Sequence, residues 1–254
     1  QAQRWLWDCW TAGWAHVAQI IERERRISDD DVDFGFLSNG DATDGNHHGT
    51  TQILSPAEGA HIKCAVESFR VPLAMRPRWV WLVRGTEAHV GKSAGLEEGI
   101  GVALHGEGAP VVRCDTGAAN TWSWWSLPME IHGRLIVFDH HGRMGQRAHT
   151  RASYVRLYAF DIWAERAMRG ERPPDLAVRS HHHTYEDSGP QHPNKRTTRV
   201  VQMPAFQLAT AFVRRIAAES LADIGLVAIV IRPNGEVDVC PHMTYPSRGP
   251  VWKP

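Results

Sequence analysis

Phe34-Gly35-Phe36-Leu37-Ser38-Asn39-Gly40-Asp41 passes from a short apolar run straight into a polar turn that ends on a carboxylate. A run of this length bounded by turn residues reads as a buried strand, with the Gly-Asp step as the loop beyond its carboxyl end. The same grammar recurs three times. Trp79-Val80-Trp81-Leu82-Val83 leads to Gly85-Thr86-Glu87-Ala88-His89. Leu135-Ile136-Val137-Phe138 leads to Asp139-His140-His141-Gly142, and Leu176-Ala177-Val178 leads to Ser180-His181-His182-His183. In open α/β sheets ligands bind beyond the carboxyl ends of the strands. Four such loops deliver carboxylates and imidazoles to one sheet edge, an arrangement suited to a dinuclear metal hydrolase. Carboxylate and imidazole donors without thiolates suit Mn²⁺, Zn²⁺ or Fe. Asp41, whose two oxygens can point to different ions, is the candidate bridge. On an extended backbone His181 and His183 project to the same side, and His182 points away.

Outside these clusters the pattern alternates helix and strand, then turns to strands. A helix is predicted from about Gln3 to Arg26, where Trp7, Trp10 and Trp14 form a stripe read as core packing. Ser55-Pro56-Ala57-Glu58 has the form of a capping box with Pro at the first helical position, predicting a helix to about Phe69. A short helix is expected over Ser93–Ala103, and a long one over Ser153–Met168 that ends at Gly170 and Pro173-Pro174. Val111–Arg113, Ser123–Leu127, Met129–His132, Val200–Met203, Leu226–Ile231 and Glu236–Val239 read as strands, with His132-Gly133-Arg134 as a tight hairpin. The polar segment Glu186–Thr198 reads as a loop beside the site. The whole is expected to be one mixed α/β domain over residues 1–254.

Composition narrows the function. With 254 residues the chain is long enough for a packed core, and Lys+Arg 28 against Asp+Glu 28 leaves no global basic field. The four cysteines are scattered, with no CxxC pair, and read as reduced thiols of a cytoplasmic protein. No apolar stretch approaches the roughly 18 residues of a membrane span, so no membrane partner is expected. Gln1–Trp14 is interrupted by Arg4 and Asp8, unlike a signal peptide. Of 15 His, seven fall in the groups 47–48, 140–141 and 181–183. Asp115, Glu97 and Glu98 have no metal-like context and read as solvated surface. His48 is a candidate for lining the substrate mouth, and Arg143 for clamping a phosphate bidentately.

Asn39-Gly40-Asp41-Ala42-Thr43-Asp44-Gly45 resembles the Gly-Asp-x-x-Asp-Gly motif of the calcineurin-like metallophosphoesterases. Ser180-His181-His182-His183 is similar to their Gly-His-x-His motif, with Ser for Gly. His140-His141-Gly142 stands where that family has a single metal-binding His, and Gly85-Thr86-Glu87-Ala88-His89 where it has Gly-Asn-His-Asp/Glu. The resemblance runs from about residue 33 to 205 and is nearest to phage- or prophage-type members carrying Gly-Thr-Glu-x-His.

The resemblance implies an αββα sandwich of two mixed sheets flanked by helices. It implies hydrolysis of a phosphomono- or phosphodiester by water activated between two divalent ions about 3.5–4 Å apart. Asp41 would bridge them, with His140 and His181 on one ion and His183 on the other. His140 is preferred to His141 because the family pattern has Gly or Pro one residue after the intervening position. Glu87 would replace the ligand Asn, and His89 the His that protonates the leaving group or steadies the phosphate. The family opens with a strand ending in Asp-x-His that supplies two ligands to the ion of His183, and no Asp-x-His precedes Asp41. The expectation is an N-terminally truncated version, its first strand missing and that ion poorly held. Two alternatives share these residues. One is a phage-type DNA nuclease, with nucleic acid gripped by Trp122, Trp124, Trp125 and the Lys195-Arg196 loop; the other is a non-catalytic structural protein that keeps the fold.

Overall fold

The structure is a computed structural model, and it describes residues 2–28, 31–45, 53–115, 120–145, 148–190, 198–208 and 222–246. In chain order the elements are α1 (Ala2–Ile27), β1 (Gly35–Asn39), α2 (Glu58–Ala74), β2 (Trp79–Val83), α3 (Glu87–Val90) and α4 (Gly95–Gly106). There follow β3 (Cys114–Asp115), β4 (Asn120–Thr121), β5 (Ser123–Trp124), β6 (Leu127–Ile131), β7 (Arg134–Phe138) and α5 (Arg151–Met168). The chain continues through β8 (Leu176–Arg179), β9 (Glu186–Asp187), β10 (Arg199–Gln202), β11 (Ile224–Ile231) and β12 (Val237–Thr244).

Two sheets organise the molecule. In the first, ordered β1-β2-β5, all three strands run parallel, with Gly35 opposite Trp79 and Val83 opposite Trp124. In the second, ordered β6-β7-β8-β10-β9, the central strands β7, β8 and β10 are parallel and the two edges antiparallel. The expected mixed α/β architecture, with sheets flanked by helices, is the one found. The five-stranded sheet is mixed, the three-stranded sheet wholly parallel, and β11-β12 and β3-β4 form separate ribbons. Alternation along the strands explains the layering. Phe36, Val80 and Leu82 face a core made with Trp14, Val17, Ala65, Phe69, Ile100 and Leu104 of α1, α2 and α4. Ala177 and Val200 lie under Val155 and Ala159 of α5. On the opposite face, Ile136, Leu176, Val178 and Val201 meet Ile229, Ile231, Val237 and Val239 of the β11-β12 ribbon.

Local expectations fared unevenly. The β6-β7 hairpin turns through His132 (φ 47°) and Gly133 (φ 74°), two left-handed residues that match the twist of its strands. The Trp stripe of α1 is narrower than predicted: Trp10 and Trp14 pack inward, whereas Trp7 is 45% exposed. The capping box before α2 does not form. Ser55 Oγ accepts from the Ala57 amide at 3.1 Å, and the helix begins at Glu58 without a side-chain cap. Nor does α2 stop at Phe69; it runs through Pro72 to Ala74. Proline cannot donate to the carbonyl four residues back, here that of Ser68. The Trp10 indole N–H donates to Ser68 O at 3.0 Å, so the carbonyl freed by Pro72 is satisfied from α1. No helix among the described residues is long and apolar enough to cross a membrane.

Candidate metal centre

The two parallel pairs, β1-β2 and β7-β8, end their strands at one place. Asn39 stitches the sheets together there. Its Nδ2 donates to Asp139 O at 3.2 Å and to Ser180 Oγ at 2.8 Å, while its carbonyl accepts from His140 Nδ1 at 2.8 Å. The loops approach so closely that two positions exclude a side chain. A Cβ on Gly40, whose φ is +88°, would stand 2.2 Å from His140 Nδ1. One on Gly85 would stand 2.1 Å from Asp41 Oδ1.

Asp41 sits at the centre of this junction. Its Oδ1 accepts from the Thr86 amide at 2.6 Å, and its Oδ2 lies 2.9 Å from His140 Nε2. Burial alone would raise the Asp41 carboxyl. The His140 hydrogen bond and charge, the His89 charge and the Thr86 amide outweigh it and hold the group below its ordinary value. His140 is 2% exposed; burial alone would lower its imidazole, but Asp41 and the Asn39 carbonyl raise it. Thr86 Oγ1 stands 3.0 Å from His181 Nδ1, 3.3 Å from His140 Nε2 and 3.4 Å from His141 Nε2. The ligand nitrogens of His140, His141 and His181 all lie within 4.8 Å of one another, a group able to hold a metal ion. His181 is pushed down to about 4, chiefly by burial and then by the other imidazoles. His183 is likewise at about 4 through burial, with Asp41 pulling the other way.

Donor chemistry and spacing fit a divalent cation. Asp41 Oδ2 and His140 Nε2 are 2.9 Å apart, an ion-paired hydrogen bond that brings a carboxylate and an imidazole to the same point. With Nδ1 committed to a backbone carbonyl, His140 directs Nε2 into the cluster, as metal-binding histidines do. The buried Asn39 Oδ1 accepts no hydrogen bond among the described residues, leaving an acceptor for a cation or its water. The backbone is also unusual. Asp41 (φ 55°), His181 (φ 75°) and His183 (φ 53°) all adopt the left-handed region, which costs roughly 1–2 kcal/mol for each such residue. Strain of this kind collects at functional sites and persists where the surroundings enforce it.

That backbone corrects the extended reading of the triple His. β8 ends at Arg179, and the His182 amide then turns back to Ser180 O at 3.0 Å. His182 does leave the cluster, its Nε2 donating to Gly142 O at 3.1 Å. Glu87 is exposed at the start of α3, and its carboxylate has no polar partner among the described residues; its neighbour Thr86 faces the imidazoles instead. His89 is anchored by Nδ1 to Asp44 O at 2.8 Å and influences both Asp41 and His183. Arg143 is exposed and, with Arg179, lines a cavity of about 230 Å³ against Tyr158, Asp161 and Glu165 of α5. His48 and the Lys195-Arg196 loop lie outside the described residues.

Glu97 and Glu98 are not solvated surface. Glu97 is 1% exposed and accepts from the Gly85 amide at 2.9 Å through Oε2, with the Ala42 amide near enough to favour its charged form, while its Oε1 has no hydrogen-bond partner among the described residues. Burial, foremost, pushes its carboxyl up to about 7. Glu98 accepts from the Trp122 amide at 2.8 Å, the Ser123 amide at 3.0 Å and the Ser123 hydroxyl. Both were hidden because a helix start commonly carries acidic residues on its solvent side. The inward face of α4 is set by which backbone amides lack partners elsewhere in the fold.

A scan against protein-family models finds no match, and a search of curated proteins finds none either. Among solved structures the chain is similar to vacuolar protein sorting 29 from Cryptosporidium parvum, at 12% identity and a TM-score of 0.34. That match covers 85% of this chain and 98% of the other. A likeness so loose establishes neither family nor function.

Proposed function

We propose that this chain is a metal-dependent phosphoesterase that hydrolyses a phosphomono- or phosphodiester by direct attack of water. The observation that carries the reading is the convergence of Asp41, Thr86, His140 and His181 from the ends of four strands in two sheets. His140, His141 and His181 would hold one cation, with Asp41 reaching it from beside His140 and Thr86 Oγ1 between the imidazoles. His183, half-buried and within reach of Asp41's charge, is the donor available to a second. Bound there, a divalent cation neutralises phosphate charge and lowers the pKa of a water toward about 7.

The chain's own groups prepare the rest. The Asn39 carbonyl sets the His140 tautomer, and the Thr86 amide fixes Asp41. His89, anchored through Nδ1 to Asp44 O, is the imidazole that would exchange a proton with the leaving oxygen. The experiment is release of nitrophenol from bis-nitrophenyl phosphate with added Mn²⁺, alongside elemental analysis of the protein. Activity should fall at least about 100-fold in Asp41→Asn and His181→Ala, together with loss of bound metal. Full activity and full metal content in both variants would sink the reading.

A further inference from the structure

Trp122, Trp124 and Trp125 follow one another closely, yet the fold treats the last differently. Trp124 donates its indole N–H to Val112 O at 3.2 Å, and Trp122 packs against the His105 ring at 4.6 Å. Trp125 is 67% exposed. One face of its ring rests on the Arg84 guanidinium, 4.8 Å from the ring centroid. That guanidinium is itself buried, donating to Ser123 Oγ at 3.0 Å and reaching Glu98 at 3.5 Å. The Arg is therefore a fixed floor under the ring, and solvent reaches the other face.

The position of this ring follows from strand register. Val83 is opposite Trp124, and the Arg84 amide donates to Trp124 O at 2.8 Å, so Trp125 leaves β5 beside the loop that carries Thr86. Neighbouring strands are about 4.8 Å apart, and Thr86 follows Arg84 by two residues, about 7 Å of chain. Trp125 and Thr86 thus leave neighbouring strands of one sheet at the same end, Trp125 after β5 and Thr86 after β2.

We infer that Trp125 is a stacking platform for the base of the substrate, so that the phosphoesters taken by this site are those of nucleosides. The inference rests on the phosphoesterase reading for the position of the phosphate. Stacking on an aromatic side chain is sequence-tolerant, because every base has a π-face. The neutral charge balance of the chain suits single nucleotides or short strands better than long duplexes.

The test compares adenosine monophosphate, ribose 5-phosphate and a short single-stranded oligonucleotide by calorimetry, using the full chain with Mn²⁺. The nucleotide should bind about 5- to 150-fold tighter than ribose 5-phosphate, and Trp125→Ala should bring it down to the ribose phosphate level, with Trp125→Phe between. Tighter binding of the oligonucleotide, lost in the same variant, would assign the base to a strand rather than to a free nucleotide. Equal affinity for the first two ligands, or a preference that survives Trp125→Ala, overturns the inference. Adenosine, which has no phosphate, separates the two readings. Manganese retained without adenosine binding to Trp125 sinks the platform alone. Adenosine binding lost in Trp125→Ala, in a chain that holds no manganese, supports the platform and sinks the metal centre.

Discussion

Replacing Gly40 with alanine places a methyl group 2.2 Å from His140 Nδ1 on a backbone at φ +88°. The left-handed conformation and the clash together should destabilise the fold by at least about 2 kcal/mol, measured as a shift in urea midpoint. Glu97 makes a second residue-scale prediction. Glu97→Ala strips the Gly85 amide of its acceptor inside the protein and should cost about 1–3 kcal/mol. Glu97→Gln keeps an oxygen for that amide and should cost less. Thr86 and Glu87 show why residue roles resist sequence reading. The loop was recognisable, but which of two adjacent side chains faces inward depends on where β2 ends and α3 begins. That phase is set by the Asp41 hydrogen bond to the Thr86 amide, from a residue 45 positions away.

At the scale of elements, the Trp10–Ser68 hydrogen bond links α1 to α2 through the carbonyl that Pro72 leaves free. Trp10→Phe should cost about 1–2 kcal/mol by orphaning that carbonyl. In a Pro72→Ala background the helix supplies its own donor, and the same change should cost measurably less in a double-mutant cycle. The strands that lead into the site and the β6-β7 hairpin were legible because their signals are local: apolar runs, a period of two, and Gly at a two-residue turn. Val111–Arg113, read as a strand, carries only a bridge from Val111 to Val80, and β9 lies in a segment read as loop, because both depend on what the fold brings alongside. Helix limits were not legible, because the extent of α2 depends on an indole from another helix. The inward face of α4 was equally hidden, since Glu97 and Glu98 serve amides that only the tertiary fold brings near.

For the whole molecule, the imidazoles couple stability to pH and to metal. His181 and His183 stay neutral in the fold to about pH 4, whereas unfolded they take up protons near 6.5. The unfolded chain therefore binds more protons between these values, and the metal-free protein should lose stability as pH falls from 6.5 to 4. His140 is shifted upward and opposes the trend. The check is the urea midpoint at pH 7 and pH 5, with His183→Gln reducing the difference. Mn²⁺ or Zn²⁺ at a hundredfold excess over its Kd should stabilise the fold by about 2.7 kcal/mol, and Asp41→Asn should abolish the gain.

Asn39 gives this coupling a mechanical side. One amide fastens the end of the parallel sheet to two loops of the mixed sheet, within the same few ångströms that gather the imidazoles. Prising the layers apart dismantles the ligand cage, and any ion seated there acts as a rivet between them. Hydrogen exchange at β1 and β8 should then slow together when metal is added, although the imidazoles that would hold it stand on the loops beyond the strands.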